Sequence, residues 1–181
     1  MSTTIIWCDW GDNDTKLLSI LWEGVSDAKV IHITKWNHWV ERSVEWVIAE
    51  EDDTLLFCGH GTSYGLLAPN SYGEYVIHEA NAGKIHAKNV IGIMCWGAEF
   101  AERVGLHGLF SSMFISNMDE CVNLCVESTQ SEIDSTNKKI FEVLSEAVKG
   151  DLTMEDVVMS LKGYSMLNGI ASFNIAGIRV M

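Results

Sequence analysis

Short apolar runs alternate with stretches of helical period along the chain, which predicts an α/β fold on a mostly parallel sheet. Residues 3–8, 29–34, 54–59, 89–94 and 109–116 read as five strands, and residues 172–180 as a sixth. A helix capped by Asp14 or Thr15 follows the first strand and runs to about Glu23. Residues 37–50 are amphipathic, with Trp39, Val40, Val44, Val47 and Ile48 at helical spacing. Residues 96–104 and 131–149 are further helices, stopped by Gly105 and Gly150. Thr153 heads a Thr-x-x-Asp cap for a helix over residues 153–161. Glu51-Asp52-Asp53 reads as a solvated break. Residues 64–87 are rich in turn formers, with a hairpin around residues 75–78, and residues 117–130 carry no decisive pattern. The expected fold is α/β, a three-layer α-β-α sandwich with about six strands, formed as one domain over residues 1–181.

Two of the apolar runs end in reactive side chains. Leu55-Leu56-Phe57-Cys58-Gly59-His60-Gly61 delivers a histidine, and Val90-Ile91-Gly92-Ile93-Met94-Cys95 delivers a cysteine. Ligands of open α/β sheets bind beyond the carboxyl ends of the strands. If the third and fourth strands are neighbours, imidazole and thiol meet at one sheet edge, as nucleophilic acyl transfer requires. Cys95 would open a helix, whose N-terminus favours the thiolate and lowers its pKa. Gly61 leaves its backbone N–H unobstructed, and with the N–H of Cys95 it can hold a developing oxyanion.

Charge and composition narrow the choice of partner. With 25 acids against 12 Lys and Arg, the formal charge is −13, which argues against nucleic acid and against an anionic membrane surface. Five cysteines, an odd number, read as reduced thiols in a reducing compartment. No basic leader and no apolar run long enough to span a membrane is visible, so the expected location is cytoplasmic. His32, His38, His78, His86 and His107 lack paired metal spacing, and no metal or other cofactor is expected. The acidic turn after strand one suits no phosphate, and neither phosphate-loop nor dinucleotide motif occurs. A receiver domain would need an Asp at the end of strand three, where Cys58-Gly59-His60 stands instead.

The His-Gly closing one apolar run and the Cys closing the next resemble the caspase-like cysteine peptidases, in particular small bacterial caspase-like and CHAT-type domains. The resemblance implies a thiol endopeptidase working through a Cys-His dyad on a protein or peptide substrate. Cys95 would be the nucleophile, His60 the general base, and Gly61 part of the oxyanion site, with no third orienting residue required. Departures are the bulky Trp96 after the cysteine and a short chain. In that family a pocket at the same sheet edge selects the residue before the cleaved bond. Asp9, Asp12 and Asp14 after strand one and Asp119 at the end of strand five would make it acidic and favour basic residues. Residues 117–130 hold no Arg or Lys, so the chain is expected to stay intact.

The rival reading is a catalytically inactive relative that acts as a protein-interaction module. Seven tryptophans bear on it: most are expected in the core, and several on one exposed patch would favour partner binding. The sequence does not fix the oligomeric state.

Overall fold

The computed structural model describes residues 2–51 and 53–181. Its centre is a six-stranded sheet built from β1 (Thr3–Cys8), β2 (Lys29–Ile33), β3 (Thr54–Cys58), β7 (Asn89–Ile93), β8 (Leu109–Ser111) and β9 (Ile178–Val180). The spatial order is β2-β1-β3-β7-β8-β9, and every neighbouring pair is parallel except β8 with β9. A second, antiparallel sheet of β4 (Gly61–Thr62), β5 (Gly65–Leu67) and β6 (Tyr75–His78) follows β3.

Alternation along each central strand feeds two cores. Leu56 and Cys58 of β3 enter one, together with Ile91 and Ile93 of β7. Leu55 and Phe57 enter the other, with Ile6, Val90 and Phe110. The first core is covered by the 3-10 turn Leu18–Trp22 and by α6 (Gln130–Lys149), α7 (Met154–Lys162) and α8 (Gly169–Ala176). The second is covered by α2 (His38–Glu50), α4 (Gly97–Val104) and the small sheet with α3 (Glu79–Ala82). This is the three-layer α-β-α sandwich expected from the alternation. Among the described residues no helix is long and apolar enough to cross a membrane.

Several boundaries differ from the sequence reading. The expected strand over 172–180 is helical until Ala176, because Ile170, Ala171, Asn174 and Ile175 recur at helical spacing on the buried face. Its cap is Asn168, whose side chain accepts from the Ala171 N–H. Strand five is confined to Leu109–Ser111, since Ile115 turns away to bond Asn174. Residues 117–130 contain α5 (Met118–Asn123), opened by an Asn117/Glu120 capping box. Glu51 is not solvated: its carboxylate is buried and accepts hydrogen bonds from Ser2 Oγ, Thr4 Oγ1 and the Asp53 N–H. Asp52, from the same expected break, lies outside the described residues.

The tryptophans also depart from expectation. Trp10, Trp39, Trp46 and Trp96 are exposed. On α2 the inward face is Val44, Val47 and Ile48, which turns Trp39 and Trp46 to the outside. Lys29 Nζ lies 4.6 Å above the Trp46 ring, so part of that indole is used in a cation–π contact.

Candidate active site

The chain leaves β1 to form β2 on one side and returns to form β3 on the other, so strand order reverses between β1 and β3. That switch point opens a crevice at the carboxyl ends of the strands. The loop after β1 enters it from one side and His60 from the other. Gly59 makes this exit possible. Its φ is +146°, and a Cβ there would lie 2.8 Å from both Cβ and O of Cys8. Its N–H still bonds Ile93 O, so β3 stays paired with β7 up to the residue before His60.

The β1 loop is organised around Thr15, which is almost fully buried. Asp12 caps α1 (Asn13–Leu17) by accepting from the Thr15 N–H at 2.8 Å, and the Thr15 hydroxyl donates to the same oxygen at 2.7 Å. The other oxygen, Oδ2, meets His60 Nε2 at 2.8 Å. The imidazole is therefore held by a carboxylate, and Nε2–H donation to Asp12 leaves Nδ1 as the free acceptor. Burial pushes the Asp12 carboxyl upward, but hydrogen bonds from the Thr15 N–H, His60 and the Thr15 hydroxyl outweigh it and leave its pKa below the usual value. Trp10 packs edge-on against His60, with ring centroids 5.5 Å apart.

Cys95 follows β7, and the register Cys58↔Ile93 sets β7 directly beside β3. Ser111 fixes this turn: its hydroxyl accepts from the Met94 N–H at 3.0 Å and donates to Met94 O at 2.9 Å. Trp96, the residue flagged as bulky, is the N-cap of α4 and takes a left-handed φ of 62°. Cys95 thus stands one residue before the cap rather than inside the first turn, and the lowered pKa expected from the helix end does not hold. Burial pushes its thiol up to about 11, and the carboxylates of Glu120 and Asp14 add to the rise. The Sγ lies 3.8 Å from Phe114 O.

Gly61 backs onto this turn. A Cβ on it would lie 2.7 Å from Met94 Sδ and 2.9 Å from Cys95 O, so only glycine fits. Leu67 N–H bonds His60 O, which makes Gly61↔Leu66 a non-hydrogen-bonded pair and turns the Gly61 N–H away from β5.

His60, Cys95, Asp14 and Ser116 line one small cleft of about 40 Å³, floored by Leu18, Phe114 and Phe141. Of the four acids proposed from the sequence for an acidic pocket, Asp14 lines the cleft and the other three are placed differently. Asp9 Oδ2 is occupied by His32 Nε2 at 2.8 Å, and that ring stacks on Trp7 at 4.1 Å. Asp12 is committed to His60. Asp119 is exposed in the first turn of α5 and is not part of the cleft. The carboxylate at the mouth is Asp14, held at 3.0 Å by both Ser116 Oγ and Asn117 Nδ2.

No family model matches this chain, and no curated protein matches it significantly. The chemistry of the site rests on its geometry. Sequence reasoning missed Asp12 as the carboxylate that holds His60, although its position after β1, next to the β3 exit, follows from the strand order. It also missed Thr15, whose only local signal was its place in a capping turn. Among the described residues no group of three or more His, Cys, Asp or Glu side chains is arranged to hold a metal ion.

Proposed function

We propose that this protein is a thiol hydrolase of the caspase-like type, cleaving peptide bonds through Cys95 and His60. The observation that supports this reading is the shared cleft at the carboxyl ends of adjacent parallel strands, with the imidazole anchored by Asp12. His60 Nδ1 takes the Cys95 proton as the sulfur attacks the scissile carbonyl carbon. The N–H groups of Gly61 and Cys95 receive the oxyanion. Collapse breaks the C–N bond, and His60 returns its proton to the leaving amine. Water, activated by the same imidazole, then hydrolyses the thioester and restores the thiol. Because Cys95 rests as a thiol, its proton passes to His60 as the sulfur attacks rather than beforehand. The cleft itself has room for little more than water, so the substrate backbone crosses its mouth. Asp14 there suits a basic residue next to the cleaved bond. The test is a peptide-library cleavage screen with wild type and Cys95→Ala in parallel: cleavage confined to the wild type supports the mechanism, and cleavage surviving in the variant removes it.

A second reading has its own support. The pKa of Cys95 stands at about 11, and among the described residues no hydrogen bond joins it to His60. Both facts suit an inactive relative in which the cleft is a remnant and the exposed tryptophans meet a partner. No cleavage of any library peptide, with a folded protein, would favour it.

A further inference from the structure

A larger cleft, about 650 Å³, opens beside the small sheet. Three aromatic side chains wall it: Trp36 after β2, Tyr64 in the β4–β5 turn, and Tyr75 of β6. Glu41 of α2, Glu74 before β6 and Glu79 of α3 supply its charge. Its frame is tied together: the Trp36 N–H donates to Pro69 O, and the Thr62 hydroxyl donates to the Tyr75 hydroxyl at 3.2 Å. The cleft already contains one guanidinium of the protein's own. Arg103 Cζ sits 4.6 Å above the Tyr64 ring, with Nη1 3.9 Å from Glu79 Oε2. Among the described residues Arg103 is the one Lys or Arg that lines the cleft, against three carboxylates; His78 lines it too, His38 Nδ1 lies 3.5 Å from Glu41 Oε2, and no cation–π contact engages the Trp36 or Tyr75 ring.

We infer that this aromatic, acidic cleft binds an arginine side chain of a peptide or protein partner. Ring faces attract a planar cation, and neighbouring carboxylates pair with its forked N–H groups. The Arg103–Tyr64–Glu79 contact shows within the molecule the geometry that an incoming guanidinium would repeat. The net charge of −13 draws cationic segments toward the surface. The site goes beyond the hydrolase reading and does not depend on it, since no residue lines both clefts.

The test uses the Cys95→Ala protein, so that binding is read whether or not the thiol is catalytic. The probe is the capped peptide acetyl-Gly-Arg-Arg-Gly-amide, titrated while the indole N–H resonance of Trp36 is followed by NMR. A control peptide carries citrulline, a neutral isostere, at both arginine positions. The expected result is a saturable shift of Trp36 with the arginine peptide, weakened about tenfold by Tyr64→Leu and by the pair Glu74→Gln with Glu79→Gln. Arg103→Gln, which removes the internal competitor, tightens binding. Equal shifts with the citrulline peptide, or a Trp36 signal unmoved by millimolar arginine peptide in both Cys95→Ala and its Arg103→Gln derivative, overturn the inference.

Discussion

Asp12 Oδ2 meets His60 Nε2 at 2.8 Å, joining the first loop of the chain to the end of β3 across 48 positions of sequence. Asn at position 12 would still cap α1, because Asn and Asp are equally good N-caps. Its amide N–H would face Nε2 as a donor, which moves the ring proton to Nδ1, and it would no longer stabilise the imidazolium. Asp12→Asn is therefore expected to keep the melting temperature within a few degrees while lowering peptide cleavage about 100-fold. Thermal denaturation and turnover on one peptide substrate check both halves.

The resting thiol gives a pH prediction of the opposite sense to an activated cysteine. Alkylation of Cys95 by iodoacetamide, followed by peptide mass analysis, should be slow at neutral pH and climb as the thiol ionises toward about 11. Asp14→Asn removes one of the two carboxylates that oppose the thiolate, so it should move that profile down by a fraction of a pH unit. A reactive arm below neutral pH in the free protein would show that His60 already activates the sulfur.

Much of the sandwich was legible because period-2 and period-3.6 patterns answer to different burial geometries. Leu55–Cys58 and Val90–Ile93 are apolar at every position because both faces of the central sheet are covered. What was not legible had a competing cause. Phe173 and Ile175 carry strand-like residue types, yet the buried face of α8 sets their conformation. At the site, His60 and Cys95 were visible as abrupt ends of apolar runs. The commitment of Asp9 to His32 and of Asp12 to His60 was not, because it depends on which strands flank β1.

Asn174 offers a stability test of the segment that floors the cleft. It is fully buried, accepts from the Ile115 N–H at 2.7 Å, and donates to Ile115 O and to Asn137 Oδ1. Asn174→Ala leaves that N–H unpaired in the core and should cost about 2–4 kcal/mol in urea denaturation. Asn174→Asp replaces the donor with a buried charge and should cost at least as much.

Glu51 predicts acid sensitivity. Burial alone pushes its carboxyl upward, but hydrogen bonds from Ser2, Thr4 and the Asp53 N–H prevail and hold its pKa below the ordinary glutamate value. A depressed folded-state pKa means that its stabilisation is fully present above the unfolded value of about 4.3 and fades as pH falls through the folded one. Wild type should therefore lose more stability than Glu51→Gln on acidification below about pH 4.3, measured by urea midpoints at successive pH values.

Gly59 couples fold to chemistry. Gly59→Ala sets a methyl against Cys8 at a φ that L residues rarely adopt, and should cost about 2 kcal/mol or more. Because His60 is the next residue, cleavage should fall further than stability alone explains, as seen by comparing turnover with the folded fraction.

The central claim, that Cys95 and His60 act together on a bound acyl group, is tested most directly by covalent trapping. The protein is exposed to a mixture of peptidyl chloromethyl ketones, and adducts are located by mass spectrometry. The expected result is a single adduct on Cys95, absent in Cys95→Ala and formed about 100-fold more slowly in His60→Ala. Equal labelling in His60→Ala, or an adduct on the exposed Cys125 in preference to Cys95, would contradict it.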